Sequence, residues 1–303
     1  MSYFYYVYGL YLKSDIKLYN SDDLICSFTP DPDIIIKTSR HFVHEFENVD
    51  GNFSLCGNRI WFMTEAGSFL IEDGCRIYAA PDDMVSNNTL SSFLMGWCIN
   101  FLMFQKNIPG IHCSALSYKN KIFLISGFSG AGKSTTSMEL LKNGCHFLAD
   151  DIAFCSSGNN FLIYPGLPLQ KMCRDVAESL NSTENLLYID EEKDKFASVS
   201  KENFDPVPGK PSLFFQLEVR PIDNVECCEI TGFEKVSVLL RSLFMESLFK
   251  TFSYPLNIKN ECLRLAGEIR IIRIRRPAGK NTLNEICKII KNYLEESCQL
   301  LQE

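Results

Sequence analysis

Residues 1–82 are written in short apolar runs broken by turn residues. Runs at 2–13, 24–28, 33–38, 53–55, 59–64, 68–72 and 75–79 have strand length, and Asp50-Gly51-Asn52, Gly57-Asn58 and Asp73-Gly74 lie between them. Asp-Gly between two such runs is a strong hairpin signal. The period then changes. Leu90, Leu94, Trp97, Phe101 and Phe104 recur at helical spacing, which predicts a buried helix over 88–105. Its apolar part, 93–104, is too short to span a bilayer and contains Asn100.

Strand-like runs return at 111–118 and 121–125, and Asn120 between them favours a hairpin. A helix is expected over 135–142, stopped by Asn143-Gly144. Strands are expected at 145–148, 152–155 and 159–164, a loop at 165–168 and a helix over 169–180. Residues 181–211 are polar, with a charge run at 190–195 and Pro206, Pro208 and Pro211, and read as a solvated loop. A strand at 212–220 precedes a helix over 234–249 with Val236, Leu239, Leu240, Leu243 and Phe244 on one face. The strand at 269–274 places Arg273 and Arg275 on one face. Thr282 and Glu285 form a candidate capping box for a last helix reaching about Leu301.

Composition narrows the class. The chain has 303 residues, 46% hydrophobic and 22% charged, the balance of an ordinary soluble protein. Net charge is −7 and no basic block occurs. Nucleic acid is therefore not expected as a partner, and anionic membranes gain no general attraction. The 13 cysteines are odd in number and include no C-x-x-C pair. With no secretory leader at the N-terminus, free thiols in a reducing cytoplasm are expected. His41 and His44 have no evident acid or thiol partner and read as surface or core histidines.

The chemistry concentrates in 121–151. Gly127, Gly132, Lys133 and Ser134 complete G-x-x-x-x-G-K-[ST], between an apolar run of strand length and good helix formers. Glycines let several backbone N–H groups face a polyphosphate, and the following helix points its positive end at the same anion. The candidate nucleotide-binding residues are Gly127, Ser129, Gly130, Ala131, Gly132, Lys133, Ser134 and Thr135. Lys133 can reach the β and γ phosphates and Ser134 can hold Mg²⁺. Asp150 and Asp151 end the next strand-like segment. Such acids can ligate Mg²⁺ or accept a hydroxyl proton, or form a polar turn. His112 stands upstream, as a catalytic or a structural histidine.

Together, His112 before a hairpin, then Gly127-Phe-Ser-Gly-Ala-Gly-Lys-Ser-Thr135, then Leu148-Ala-Asp-Asp151, resemble the HPr kinase/phosphorylase catalytic domain, a relative in fold of phosphoenolpyruvate carboxykinases. The layout is more similar to HPr-kinase-like proteins found beside peptide-modification genes, including kinases of lasso-peptide precursors. It carries His112-Cys113-Ser114-Ala115, Tyr164-Pro-Gly-Leu-Pro168, Arg275-Arg276-Pro277 and a final helix. The resemblance implies ATP and Mg²⁺ as cofactors, with Ser134 and Asp151 at the metal and Asp150 as base toward the acceptor hydroxyl. It implies that His112 and Lys133 act on the transferring phosphoryl group. Arg273 or Arg275 would add charge to the site or pair on the surface. The E-I-R-G-L-G signature of HPr kinase/phosphorylase is absent after the acidic pair. Phosphorolysis and HPr as substrate therefore stay open.

The expected fold is α/β: a β-rich N-terminal domain, 1–85, and an HPr-kinase/carboxykinase-type P-loop domain, 86–303. The expected function is ATP- and Mg²⁺-dependent phosphorylation of a serine in a ribosomal peptide precursor, in the cytoplasm. A kinase of HPr or of a small-molecule hydroxyl, or a nucleotide-binding regulator without turnover, are the alternatives, and a homo-oligomer stays open. A carboxykinase would need metal and substrate-arginine sites that the sequence does not identify. The polar stretch 181–211 is expected to serve as a flap over an open cleft.

Overall fold

The computed structural model describes residues 1–156, 161–174, 186–190, 194–244, 246, 248 and 255–299. Contacts divide the chain into two compact units, Met1–Ile108 with Gly166–Val199, and Pro109–Pro165 with Ser200–Glu303. The division thus does not fall at 85/86. The helical segment expected to open the second domain packs on the sheet of the first, and 166–199 returns to that same unit.

In the first unit, β1 (Tyr3–Val7), β2 (Leu10–Ser14), β3 (Ile34–Thr38), β4 (Phe53–Cys56), β5 (Arg59–Thr64), β6 (Gly67–Glu72) and β7 (Arg76–Pro81) form a mixed sheet in the order β1-β2-β3-β7-β6-β5-β4. The run at 2–13 is two strands, because Tyr8 and Gly9 both take positive φ (53° and 78°) and close a hairpin. The run at 24–28 is not a strand; Asp22–Leu24 is a single 3₁₀ turn. Phe62 and Phe69 stack on one another, with Phe101 and Phe93 packed against them from α1 (Asn87–Phe93) and α2 (Ile99–Gln105). A π-helical turn, Leu94–Cys98, joins the two helices. Its extra residue rotates Trp97 off the buried stripe, leaving it 39% exposed.

The polar segment corrects two expectations. β14 (Leu169–Cys173), β15 (Leu187–Asp190) and β16 (Lys195–Val199) make a small antiparallel sheet in the order β14-β16-β15. Residues 169–173 are therefore strand rather than helix, and 187–190 and 195–199 are strands rather than loop. The rest of the expected helix, 175–180, lies outside the described residues. Arg174 forks onto Asp194 (Nε–Oδ2 2.6 Å, Nη2–Oδ1 2.9 Å) and holds its carboxyl below the usual carboxylate range.

The second unit is built on β8 (Gly110–Ile111), β9 (Cys113–Tyr118), β10 (Lys121–Gly127), β11 (His146–Ala149), β12 (Ala153–Ser156), β13 (Leu162–Ile163), β17 (Pro211–Arg220), β18 (Glu226–Ile230) and β19 (Arg270–Pro277). The main sheet runs β11-β9-β10-β17-β19-β18, with β10, β17 and β19 mutually parallel. Ile122 to Ser126 are all buried, as expected of a strand covered on both faces. Helices α3 (Lys133–Lys142) and α6 (Leu283–Gln299) join one core with this sheet, where Leu140, Ile286, Ile290 and Leu294 share a cluster with Phe123, Phe215 and Ile272. Two further helices are α4 (Glu234–Arg241) and α5 (Leu256–Glu268).

Here too the structure departs from the expected pattern. α4 stops at Arg241, because Leu243 bridges to Ile111 and Phe244 N–H donates to Gly110 O. β18 was not expected. Its sequence ECCEI is almost wholly exposed at the sheet edge, so no apolar alternation marks it. The expected capping box does not form: Thr282 Oγ1 has no hydrogen bond, and Asn281 Oδ1 accepts from Leu283 N–H instead.

Candidate active site

The strand-loop-helix core of the site follows from local sequence. β10 ends at Gly127, residues 128–132 turn, and α3 begins at Lys133. Gly130 and Gly132 take φ of +78° and +100°, a region glycine enters without strain. Gly127 is required for a different reason. A Cβ there would stand 2.6 Å from Leu217 O on neighbouring β17. Ser129 and Gly130 are exposed on the loop, Ala131 is buried, and Ser134 and Thr135 lie on the first turn of α3.

The acidic pair and His112 meet through a change of strand partners. β9 pairs with β10 and β11, while β8 pairs with β12. The chain from 110 to 115 therefore runs antiparallel to 149–154, and both break between their two pairings. His112 sits in one break, Asp150 and Asp151 in the other. Asp151 takes φ of +74°, uncommon for a residue other than glycine.

Hydrogen bonds close the cluster. Lys133 Nζ donates to Gly127 O (2.7 Å) and lies 3.0 Å from His112 Nε2. His112 Nδ1 lies 3.0 Å from Asp151 O and 3.4 Å from Asp151 Oδ1. A carbonyl only accepts, so Nδ1 carries the hydrogen and Nε2 is left to accept from the Lys133 ammonium. Ser114 Oγ donates to Asp150 Oδ1 at 3.0 Å, and Ser126 Oγ to His112 O at 2.8 Å. Cys113 is fully buried, and burial pushes its thiol well above its ordinary range, so it is no nucleophile.

The arginines separate. Arg273 donates to Gln216 and Glu234, and Arg275 lies near Glu218 and Glu226, so both are taken up by surface pairing. Arg276, on the opposite side of β19, instead donates to Ala131 O (3.1 Å) and Gly130 O (3.2 Å). Its alternation with Arg275, just before Pro277, was the signal available in sequence. A cleft beside the loop is lined by Gly132, Thr135, Arg276, Lys280 and Thr282.

The donor set suits the expected ligands. The helix N-terminus, Lys133 and the left-handed glycines suit a polyphosphate. The Ser134 hydroxyl and the Asp151 carboxylate are hard oxygen donors of the kind Mg²⁺ takes, alongside phosphate. Among the described residues, no group of three or more His, Cys, Asp or Glu could hold a metal by itself. No helix among them is long and apolar enough to cross a membrane.

No protein-family model matches the chain, and no curated protein matches it. Among solved structures, the chain is similar to the HPr(Ser) kinase/phosphatase from Coxiella burnetii, with 14% identity and a TM-score of 0.33, over 62% of this chain and 97% of that one.

Proposed function

We propose that the chain is an ATP- and Mg²⁺-dependent kinase of a hydroxyl group. The observation that carries this is the chain of contacts from the loop through Lys133 to His112 and on to Asp151, with Asp150 next in sequence and held by Ser114. In this reading the loop N–H groups and the start of α3 bind phosphates, and Ser134 and Asp151 hold Mg²⁺. ATP supplies the γ-phosphoryl group. Asp150, oriented by Ser114, takes the proton of the acceptor hydroxyl. Lys133, held by His112 Nε2, faces the transferring group and offsets its developing charge.

The finer reading is a serine of a peptide precursor as acceptor. It rests on the resemblance to the peptide-tailoring kinases. The flap argument no longer supports it, since 187–190 and 195–199 are strands. The test offers ATP and Mg²⁺ with a precursor-like peptide ending in serine, with HPr and with free serine, and follows the mass of each. A gain of one phosphoryl group on the peptide alone supports the full reading. Phosphorylation of free serine with the peptide untouched overturns the finer one. Nucleotide binding with no turnover on any acceptor favours a regulator over a kinase.

A further inference from the structure

We infer that Arg276 is a positioning residue that sets the orientation of the glycine loop from behind, an inference resting on the reading of that loop as phosphate-binding. Lys133 Nζ anchors the start of the loop at Gly127 O, and the turn beyond it runs through two glycines. Gly130 and Gly132 both take positive φ, and glycine enters either half of φ space readily, so the peptides around them have low intrinsic barriers to reorientation. Ala131 N–H donates to Phe128 O at 3.0 Å. The two carbonyls that follow in the turn, those of Gly130 and Ala131, both accept from Arg276.

The consequence is geometric. A trans peptide is planar, with its C=O and N–H pointing in opposite directions. Holding Ala131 C=O toward the guanidinium turns the Gly132 N–H the other way, away from Arg276. The same fork that fixes two adjacent carbonyls also leaves a permanent positive charge beside the loop. Lysine cannot reproduce this, since an ammonium has no planar fork. Arg276 Nη1 lies 3.5 Å from Lys280 O, which ties the end of β19 to the segment before α6. Arg276 is thus placed to act on nucleotide binding through the loop backbone.

The experiment compares wild type, Arg276→Ala and Arg276→Lys by two readouts. ADP with Mg²⁺ is titrated calorimetrically, and exchange of the Ala131 amide is followed in the ligand-free protein. Both variants are expected to bind ADP about tenfold more weakly, as for loss of charge-assisted bonds. The Ala131 amide should exchange faster, with little change in thermal midpoint. Guanidinium ion at low concentration should restore part of the affinity of Arg276→Ala and none in Lys133→Ala. Unchanged affinity and unchanged exchange in both variants overturn the proposal, as does a loss of affinity that only follows a loss of fold. If wild type itself fails to bind ADP, the phosphate-loop reading falls. Exchange at Ala131 then decides alone: faster in the variants supports the role of Arg276, and unchanged overturns it. Should Arg276→Ala not fold, Arg276→Lys carries both readouts.

Discussion

The two compact units both contain parallel strand pairs, yet they treat the ends of those strands differently. In the first unit, β2 and β3 run parallel, and the polar groups past their ends bond to each other: both Asp15 carboxylate oxygens accept from Thr38 N–H at 3.0 Å. In the second, β10 and β19 are parallel to β17 between them, and their ends lead into the glycine loop and Arg276-Pro277. There Lys133, His112 and Asp151 gather where a helix begins. One arrangement closes a sheet with local hydrogen bonds. The other gathers positive and negative groups around N–H donors, which is how open α/β sheets bind ligands at the carboxyl ends of their strands. Similar strand pairing thus ends in local hydrogen bonds in one unit and in the proposed site in the other, and the difference lies in the few residues after each strand.

Removing the base breaks this contrast most sharply. Asp150→Asn is expected to leave ATP affinity nearly intact and to cut phosphoryl transfer by about 10²–10⁴-fold. Asp151→Asn should instead weaken Mg²⁺ dependence and nucleotide binding together. Single-turnover assays with nucleotide titrations separate the two, and if both variants lose affinity alone the base lies elsewhere. Lys133→Ala comes next. In the proposed reading its ammonium lies at the reacting phosphoryl group, and its loss should cost about 10²–10³-fold in kcat with the thermal midpoint close to wild type. Wild-type turnover in that variant would remove the loop from the site.

Legibility in the sequence also differs between the regions. The loop stretch was readable because each local choice agrees: an apolar strand buried on both faces, glycines where φ is positive or a Cβ would clash, then helix formers. The meeting of His112 with Asp150 and Asp151 was readable only as a resemblance, because it depends on β8 and β9 taking different partners. Residues 169–173, 187–190 and 195–199 are strands that the sequence pattern does not announce. They pair across a long segment of mixed polarity, and Leu169 and Met172 stand three apart, a helical spacing, while Gln170 is also buried. β18 carries no apolar alternation at all. Arg276 has no role legible in the sequence, since only the fold shows that its side of β19 faces the loop.

A smaller effect sharpens the comparison at the loop itself. Gly127→Ala inserts a Cβ 2.6 Å from Leu217 O and 2.9 Å from the Ala131 side chain. Backbone on β17 cannot yield as a side-chain end can, so the loop must shift, at a cost of about 1–3 kcal/mol in stability. Gly130→Ala meets no atom within 4 Å and is strained only through its φ of +78°. Denaturant unfolding should rank Gly127→Ala as the more destabilising of the two. The reverse order would mean that φ strain, rather than close packing on β17, governs the loop.

The smallest expected effect tests how Asp150 is held. Ser114 is buried on β9, and its Oγ donates to Asp150 Oδ1 at 3.0 Å. The hydroxyl is expected to act through the carboxylate it orients. Ser114→Ala removes that donor while leaving Lys133 and Gly127–Gly132 unchanged. kcat should fall about tenfold, the size expected for loss of one hydrogen bond to a charged group, with KM for ATP unchanged. Ser114→Thr keeps the hydroxyl and should retain most of the rate if the extra methyl is accommodated. A merely structural role predicts otherwise: both substitutions would then lower the thermal midpoint, and kcat measured well below it would stay at the wild-type value. A rise in KM for ATP with kcat unchanged would move Asp150 from the acceptor side of the site to the nucleotide side, and with it the assignment of the base.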